Sequence, residues 1–361
     1  MAIYIGLAFL LLYFIFVQRL LVVPTHHDLE QYGRKSKYLL LFAFCGLLAL
    51  ATNRGTAVGT DTAMYMRFFY ARTYEEFELA VRSLYELAYQ LSMYELVPIS
   101  LAALFLYGML RGIYKHCPND AIGLLLFILT FVYFTSFNQM RQLVAAALLF
   151  GFVGLLMKRG FGKLQFALVI AIATLFHQSA IFLVFLLAVP RRRFHPALIA
   201  VLFIGATLCY FTPAVKDGIG GILSTTSNFY EEKYATETND FFQVNKEKGL
   251  VEFLPVFMQM LFVFACCYYP KQQQHFFQLV TNLYVLYLTF YAFSGIEAID
   301  RVQVYLGVFT IYFYAYFIHN LLNAQNKYLG KLMTAIVLLF WCGYYLMRLL
   351  NNNQGIVPYT L

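Results

Sequence analysis

The sequence predicts an all-α protein that crosses a membrane many times. Of its 361 residues, 61% are hydrophobic and only 12% are charged, whereas a soluble domain has about 45–50% apolar and about 25% charged residues. An aqueous core could not bury that much apolar surface. Apolar runs close to the length of about 20 residues that a membrane helix needs also follow one another along the chain. We therefore expect one transmembrane domain, 1–361, without a soluble domain.

About ten apolar runs are candidate transmembrane helices. They occupy residues 2–23, 38–52, 94–114, 121–138, 143–158, 196–212, 250–269, 276–294, 302–322 and 332–350. The first run lacks a basic leading region and a small-residue cleavage site, which favours a retained helix over a signal peptide.

Basic residues set the expected orientation of these helices. The net charge is +8, and the Lys and Arg residues collect in alternate loops, which the positive-inside rule places in the cytoplasm. Both termini are then predicted to lie outside the cell membrane. The outer loops would be 53–93, 138–142, 213–249, 295–301 and the tail after Asn351. A nucleic-acid partner is not expected, because no basic stretch alternates with exposed aromatic residues.

One apolar run, 164–189, does not fit a single crossing. Basic residues precede it at Lys158, Arg159 and Lys163, and Arg191–Arg193 follow it. One crossing would put one of these groups on the outer face, which the positive-inside rule disfavours. We predict a re-entrant hairpin or two broken short helices with His177 near the apex. The alternative is one straight helix.

Two of the predicted outer loops are long. Loop 53–93 contains an amphipathic stretch, 74–91, which suits a helix lying on the membrane surface. Loop 213–249 begins with glycines and continues with polar residues, so it is a candidate lid or saccharide-contacting surface.

Four polar clusters interrupt the apolar sequence and are candidate functional sites, because polar residues near a bilayer are costly unless they have a role. Each cluster also has a structural interpretation. The first could be a solvated turn, the second a short polar turn, the third a hydrogen-bonded buried histidine, and the fourth an ion pair at a helix end. In chain order they are Arg54 with Gly55, Gly59, Thr60, Asp61 and Tyr65; Asn138, Gln139, Arg141 and Gln142; His177, Gln178 and Ser179; and Glu297, Asp300, Arg301, Gln303 and Tyr305.

The predicted topology places these clusters at a similar depth near the outer leaflet. Three arginines beside a histidine and an aspartate suit a phosphate-rich lipid headgroup and a proton transfer. The six cysteines lie in or beside apolar runs without metal-ligand spacing, so we expect neither a structural zinc ion nor another cofactor.

The residues of the first three clusters resemble the EpsG family of Wzy-like polysaccharide polymerases. The similar positions are Arg54, Gly55, Val58, Gly59, Thr60, Asp61 and Tyr65; Asn138, Gln139, Met140, Arg141 and Gln142; and Phe176, His177, Gln178, Ser179 and Ala180, with weaker similarity at Arg301, Tyr305, Pro358 and Tyr359. Their order and spacing agree from about residue 54 to about residue 305.

This resemblance implies a glycosyltransferase of a bacterial cytoplasmic membrane. We expect it to be metal-independent, because no Mg²⁺-binding pair of aspartates is evident in the sequence. It would join lipid-linked repeat units of an exopolysaccharide, a capsule or an O-antigen on the outer face. The donor would be a glycan on undecaprenyl pyrophosphate, and the acceptor the non-reducing end of another lipid-linked glycan. A protein that regulates chain length is a further expected partner. The rival functions are a transporter or flippase of lipid-linked oligosaccharides and a membrane O-acyltransferase.

The chemistry of such a transfer suggests a role for each candidate. Arg54, Arg141 and Arg301 would bind the pyrophosphate, since cations in a low-dielectric cavity stabilise its developing charge. His177 is the first choice for the general base and Asp61 the second. The residues expected to orient the substrates are Asn138, Gln139, Gln142, Tyr65 and Tyr305.

Overall fold

The computed structural model describes residues 3–8, 10, 37–59, 61–212, 214–218, 249–267 and 275–359. Their regular secondary-structure elements are all helical, as predicted. Most of the predicted first span, 2–23, and most of the candidate lid, 213–249, lie outside the described residues, as does Thr60. Those two predictions therefore remain predictions.

The longer helices are numbered here in chain order. They are α1 (Lys37–Thr52), α2 (Thr62–Ala71), α3 (Leu79–Gln90), α4 (Leu96–His116), α5 (Asp120–Leu129), α6 (Val132–Thr135), α7 (Met140–Phe152), α8 (Gly162–Thr174), α9 (Pro196–Tyr210), α10 (Leu250–Cys267), α11 (His275–Phe290), α12 (Glu297–Gly307), α13 (Thr310–Leu322) and α14 (Lys327–Leu350). Three 3₁₀ helices follow α7, α8 and α11 at Val153–Met157, Gln178–Ala188 and Tyr291–Phe293.

Five helical segments of the described chain are long and apolar enough to cross a membrane, and six shorter apolar helices accompany them. The five are Leu96–His116, Met140–Met157, His275–Phe293, Ala298–Leu322 and Lys327–Leu350. The helical class and the presence of membrane-length helices are thus confirmed. The total of about ten spans and the outer position of both termini remain predictions.

The predicted span 121–138 is not one continuous helix. Helix α5 ends at Leu129, and α6 begins only after Phe131, whose φ of 69° lies in the left-handed region. Thr130 donates its hydroxyl to the Leu126 carbonyl oxygen at 2.7 Å, a bond that can bend a helix slightly. The break directs the Phe131 ring against Phe134 and Tyr345. Hydropathy alone does not reveal such a break, because both halves are apolar.

The described chain forms two compact units, and the first comprises Met1–Leu187 with Thr310–Leu361. Its centre is a close crossing of α4 and α7. A methyl group added at Gly108 would lie 2.7 Å from the Ala147 carbonyl oxygen, and one added at Gly151 would lie 2.8 Å from the Gly108 carbonyl oxygen. Small residues at these positions let the two backbones touch, which is a common way of packing membrane helices.

Buried tyrosines connect the helices of this first unit through their hydroxyl groups. Tyr133 donates to the Leu47 carbonyl oxygen at 2.7 Å, and Tyr312 donates to the Phe150 carbonyl oxygen at 2.9 Å. Tyr345 donates in the same way to the Tyr4 carbonyl oxygen. Aromatic residues make up 19% of the chain, and membrane proteins commonly place such residues at the membrane interfaces. Many of these rings instead build the interior, where each hydroxyl needs a partner.

The second unit, Ala188–Phe309, is organised around a buried asparagine of α11. The Asn282 side chain donates to the carbonyl oxygens of Pro190 and Arg192 and accepts a hydrogen bond from the Phe194 backbone amide at 2.8 Å. One side chain thereby fixes the backbone of the arginine run that follows the 3₁₀ helix.

The α4–α7 crossing predicts that Gly108→Ala destabilises the protein, by about 1–3 kcal/mol if the helices must separate to admit a methyl group. The matched control is Gly46→Ala on α1, where nothing lies within 4 Å of the added carbon. Thermal unfolding of both purified variants in detergent measures the difference. Equal melting temperatures for the two variants would show that the crossing tolerates a wider spacing.

Candidate active site

The helix break predicted around His177 is present, and it creates the first part of the site. Helix α8 ends at Thr174 and the 3₁₀ helix begins at Gln178. The Leu175 carbonyl oxygen accepts a 3.0 Å hydrogen bond from the Ala80 backbone amide, so the break lies against the first turn of α3. Whether the broken segment re-enters the membrane from one side stays a prediction.

Glu78, the residue just before α3, lies at the centre of this contact. Its Oε1 accepts a 3.1 Å hydrogen bond from the Gln178 backbone amide, at the start of the 3₁₀ helix. Amide groups at a helix start lack intrahelical partners and favour anions. The other oxygen, Oε2, lies 2.6 Å from Nη1 of Arg141 on α7. One carboxylate therefore joins three separate elements.

Arg141 is held on three sides. Besides its ion pair with Glu78, its Nε donates to the Tyr65 hydroxyl on α2 at 3.4 Å. Its guanidinium also lies 4.4 Å from the centroid of the Phe77 ring, at cation–π distance. The Arg141 side chain is nevertheless 23% exposed, so its guanidinium is held in one orientation but is still partly accessible to solvent.

The His177 ring faces the same carboxylate. Its Nδ1 lies 3.8 Å from Oε1 of Glu78, an ion-pair distance that is too long for a hydrogen bond. The Ser179 hydroxyl lies 3.1 Å from the same nitrogen. Arg141 and His177 therefore flank one glutamate.

Arg54 is the most buried of the predicted arginines, at 9% exposure. Its Nη2 donates to the Phe137 carbonyl oxygen at 3.3 Å, and its Nε donates to the Thr62 hydroxyl at 3.4 Å. Its Nη1 is buried and has no hydrogen-bond partner among the residues that the structure describes. Among the described residues no carboxylate lies within ion-pair distance of this guanidinium. Burial accordingly lowers the pKa of Arg54, against the effect of nearby tyrosines.

Arg54 and Arg141 are anchored to the same two stretches of chain. Arg54 contacts Thr62 on α2 and Phe137 before α7, whereas Arg141 contacts Tyr65 on α2 and belongs to α7 itself. Residues three apart on a helix share a face, with about 5–6 Å between their Cβ atoms. The first and second sequence clusters therefore meet between α2 and the start of α7, within the first unit.

The C-terminal segment covers part of this junction. The Asn138 amide donates to the Gln354 carbonyl oxygen at 2.8 Å and to its side-chain oxygen at 2.6 Å. The Gly59 amide donates to the Gly355 carbonyl oxygen at 2.9 Å. Gly59 has a φ of 87°, and an added methyl group would lie 2.7 Å from the Asn138 side-chain oxygen. Glycine is required there by both conformation and space.

The remaining candidates of the first unit lie around the same junction. Asp61 precedes α2, and its side chain makes no capping hydrogen bond to that helix, although its charge acts on Tyr65. Gln142 is buried on the first turn of α7. The side-chain oxygen of Gln139 is buried without a hydrogen-bond partner. An unpaired buried polar atom of this kind favours a bound polar ligand.

Arg301 and Tyr305 belong to α12 of the second unit. Tyr305 is fully buried and Arg301 is partly exposed. Asp300 stabilises the start of α12, because its two oxygens accept hydrogen bonds from the Gly295 amide and the Gln303 side chain. The inclusion of Arg301 and Tyr305 in the site remains a sequence prediction.

A family model matches this chain. The EpsG family model covers residues 37–361. The chain belongs to the EpsG family. This family is related to the Wzy-like polymerases, so the resemblance predicted from the sequence is confirmed. No curated protein and no solved structure matches the chain.

The three clusters that carried the EpsG resemblance are the ones that the first unit brings together. The first cluster touches the second through Arg54 and Phe137 and through Gly59 and Asn138. The second touches the third through Glu78, which bridges Arg141 and Gln178. Among the described residues, no group of three His, Cys, Asp or Glu side chains could hold a metal ion.

Sequence reasoning missed one residue of this EpsG-family site, Glu78, and one further arginine of the first unit, Arg348. Glu78 was passed over because it follows Glu75 and Glu76 in what reads as a solvated acidic turn; its position just before the amphipathic helix was the available signal. Arg348 near the end of α14 was also missed. Its guanidinium lies 4.8 Å from the Phe131 ring centroid, and its Nε is buried without a hydrogen-bond partner.

Because no described carboxylate pairs with Arg54, removing its charge should not lower stability but should weaken the binding of an anionic ligand. Arg54→Met preserves volume and removes a buried charge, so its melting temperature should be no lower than that of the wild type. Inorganic pyrophosphate should raise the melting temperature of the wild type, because a ligand that binds only the folded state stabilises it. It should not raise that of Arg54→Met.

The matched control for this measurement is Arg82→Met, which changes an arginine whose side chain is 42% exposed. This variant should respond to pyrophosphate like the wild type. A pyrophosphate response that survives in Arg54→Met would contradict the assignment of Arg54 to anion binding.

The environment of Glu78 predicts a pH-dependent stability. Burial raises its pKa, but Arg141, His177 and two backbone amides lower it by more, so that the net pKa lies below the usual 4.5. The carboxylate therefore stabilises the fold fully above about pH 4.5, and this contribution disappears as the pH falls through the lowered pKa. Unfolding measured from neutral to acidic pH should show a steeper loss for the wild type than for Glu78→Gln. Parallel curves would rule this out.

Proposed function

We propose that this EpsG-family chain polymerises lipid-linked oligosaccharide repeat units of an exopolysaccharide, capsule or O-antigen. It would transfer a glycan from undecaprenyl pyrophosphate to the non-reducing end of another lipid-linked glycan, at the outer face of a bacterial cytoplasmic membrane. The observation that carries the proposal is the meeting of Arg54 and Arg141 between α2 and α7, with His177 beside Arg141 across Glu78.

The two arginines suit the leaving group of this reaction. A pyrophosphate carries negative charge before and after the transfer, and bidentate guanidinium contacts match its oxygens. Arg54 has a buried Nη1 without a partner, and a phosphate oxygen would supply one. Arg141 already shares its charge with Glu78, but its partial exposure leaves room for a second anion.

The bond changes of the reaction assign a role to His177. The acceptor hydroxyl oxygen attacks the anomeric carbon of the donor, and the bond from that carbon to the pyrophosphate oxygen breaks. The leaving pyrophosphate takes the electron pair, and the hydroxyl proton moves to the imidazole of His177. Histidine suits this step because its pKa lies near neutrality. Asp61, which lies at the start of α2, is the alternative base.

The substrate itself explains why the site would be built in a membrane protein. The long apolar lipid of the donor would lie among the helices, while its headgroup meets the arginines. Asn138, Gln139, Gln142 and Tyr65 line the same junction and would orient donor oxygens. Arg301 and Tyr305 would complete the set, and a chain-length regulator would act as a partner.

The proposal predicts that His177→Ala, Arg141→Ala and Arg301→Ala each reduce polymer formation by at least about 100-fold, because each removes a group that acts in the transition state. Membrane insertion should be unchanged. The assay uses purified protein with a lipid-linked oligosaccharide and follows polymer ladders and released lipid pyrophosphate. Glu76→Gln, an exposed neighbour of the site, is the control.

The same assay separates the rival functions. Intact substrate that crosses a vesicle membrane would mean a transporter or flippase, and acyl transfer from a thioester would mean an O-acyltransferase. Polymer formation that persists with a metal chelator is expected for a metal-independent transferase. Near-normal polymer length in all three variants would reject the assignment of the site.

A further inference from the structure

We propose that Glu78 is a positioning residue that couples the pyrophosphate-binding arginine to the histidine base. This inference rests on the proposed function and deepens it. Glu78 would not touch the substrate. It would act through Arg141 and His177, holding the first in place and setting the protonation of the second.

The two oxygens of Glu78 serve different elements. Oε2 pairs with Arg141 at 2.6 Å, while Oε1 accepts the Gln178 amide at 3.1 Å and lies 3.8 Å from Nδ1 of His177. If both carboxylate oxygens bound the guanidinium, the two side chains would form the usual bidentate pair. Here the pair is monodentate, and the second oxygen is directed to the histidine side.

The backbone around Glu78 is fixed, so the carboxylate has a defined position. Two residues later, the Ala80 amide bonds to the Leu175 carbonyl oxygen at 3.0 Å. One residue earlier, the Phe77 ring packs against Phe68 and Tyr85, with centroid distances of 4.9 Å and 5.4 Å. The Glu78 side chain is only 11% exposed. A position held this tightly suits a residue that orients others.

The carboxylate acts on the imidazole through its charge. The Ser179 backbone amide donates to Nδ1 at 3.4 Å, so this nitrogen holds the lone pair of the neutral ring in this structure. The Glu78 anion, 3.8 Å from Nδ1, stabilises the imidazolium that forms when the ring takes the acceptor proton. The present distance of 3.8 Å would have to shorten by about 1 Å to reach hydrogen-bond length, and catalytic contacts commonly shorten when substrate binds.

Several charged or titratable groups surround this pair. Arg141 and His177 act directly on Glu78, and Tyr65 contacts Arg141 from α2. Tyr85 on α3 and Asp61 before α2 in turn act on Tyr65. Removing the Glu78 charge leaves the positive charge of Arg141 near the imidazole, so protonation of the histidine becomes less favourable. The acid limb of the rate profile should then move to lower pH.

The test is Glu78→Gln in the full chain, with a lipid-linked oligosaccharide as substrate and Glu76→Gln as the matched control. We expect kcat to fall by about 10- to 100-fold, the range seen when a partner that orients a functional histidine is lost. KM for the donor should stay equal or fall, because Arg141 loses its counter-anion. The acid limb of kcat/KM should move down by about one pH unit. Glu78→Asp keeps the negative charge, so the acid limb of its kcat/KM profile should lie at the same pH as that of the wild type.

The outcomes distinguish this inference from the proposed function. If Glu78→Gln lowers kcat while the acid limb stays in place, or if it behaves like Glu76→Gln, the coupling role is overturned and the polymerase proposal stands. If the wild type forms no polymer, the proposed function itself fails. If Glu78→Gln does not fold, Glu78→Asp decides: its shorter carboxylate should lower kcat while the acid limb stays at the wild-type pH, and a wild-type kcat would overturn the inference.

Discussion

One ion pair connects the polar residues of the candidate site in the first unit. Arg141 at the start of α7 and Glu78 before α3 meet at 2.6 Å, in a chain of which only 12% is charged. Removing one partner from a largely buried pair leaves the other uncompensated, which is far more costly than never having the pair. Helices α2, α3, α7 and the broken segment at His177 all contact these two side chains. Their relative positions are therefore set by electrostatics as much as by apolar packing.

Near this pair lies a second cation, Arg54, for which the described residues supply no carboxylate. The partners of Arg54 among them are neutral: the Thr62 hydroxyl, the Phe137 carbonyl oxygen and the Phe137 ring. A buried guanidinium of this kind lowers stability unless an anion arrives. The two arginines therefore differ. Arg141 is oriented by the Glu78 carboxylate, whereas Arg54 has no carboxylate partner among the described residues. A headgroup with two phosphates would meet one cation of each kind.

The apolar scaffold supplies the rigidity that such a site needs. Helices α4 and α7 touch through Gly108 and Gly151, and the Phe150 and Tyr312 rings stack at 3.9 Å. Close packing of this kind resists small displacements. Since α7 begins at Met140, beside Arg141, the tight crossing that follows along the same helix fixes where the guanidinium lies. Packing far from the polar residues thereby contributes to their geometry.

The sequence by itself determined the helical membrane class, the EpsG resemblance, and the break at His177. Composition and charge carry this information locally: apolar runs need a bilayer, and basic groups on both sides of one run exclude a simple crossing. The residues Arg54, Arg141 and His177 could be chosen because each interrupts apolar sequence. Only the tertiary structure showed that Glu78 joins Arg141 to the His177 segment, that Arg54 lacks a carboxylate among the described residues, and that the chain breaks at Phe131. The Glu78 contacts depend on residues that meet across more than 60 positions of sequence, and no local pattern encodes such a pairing.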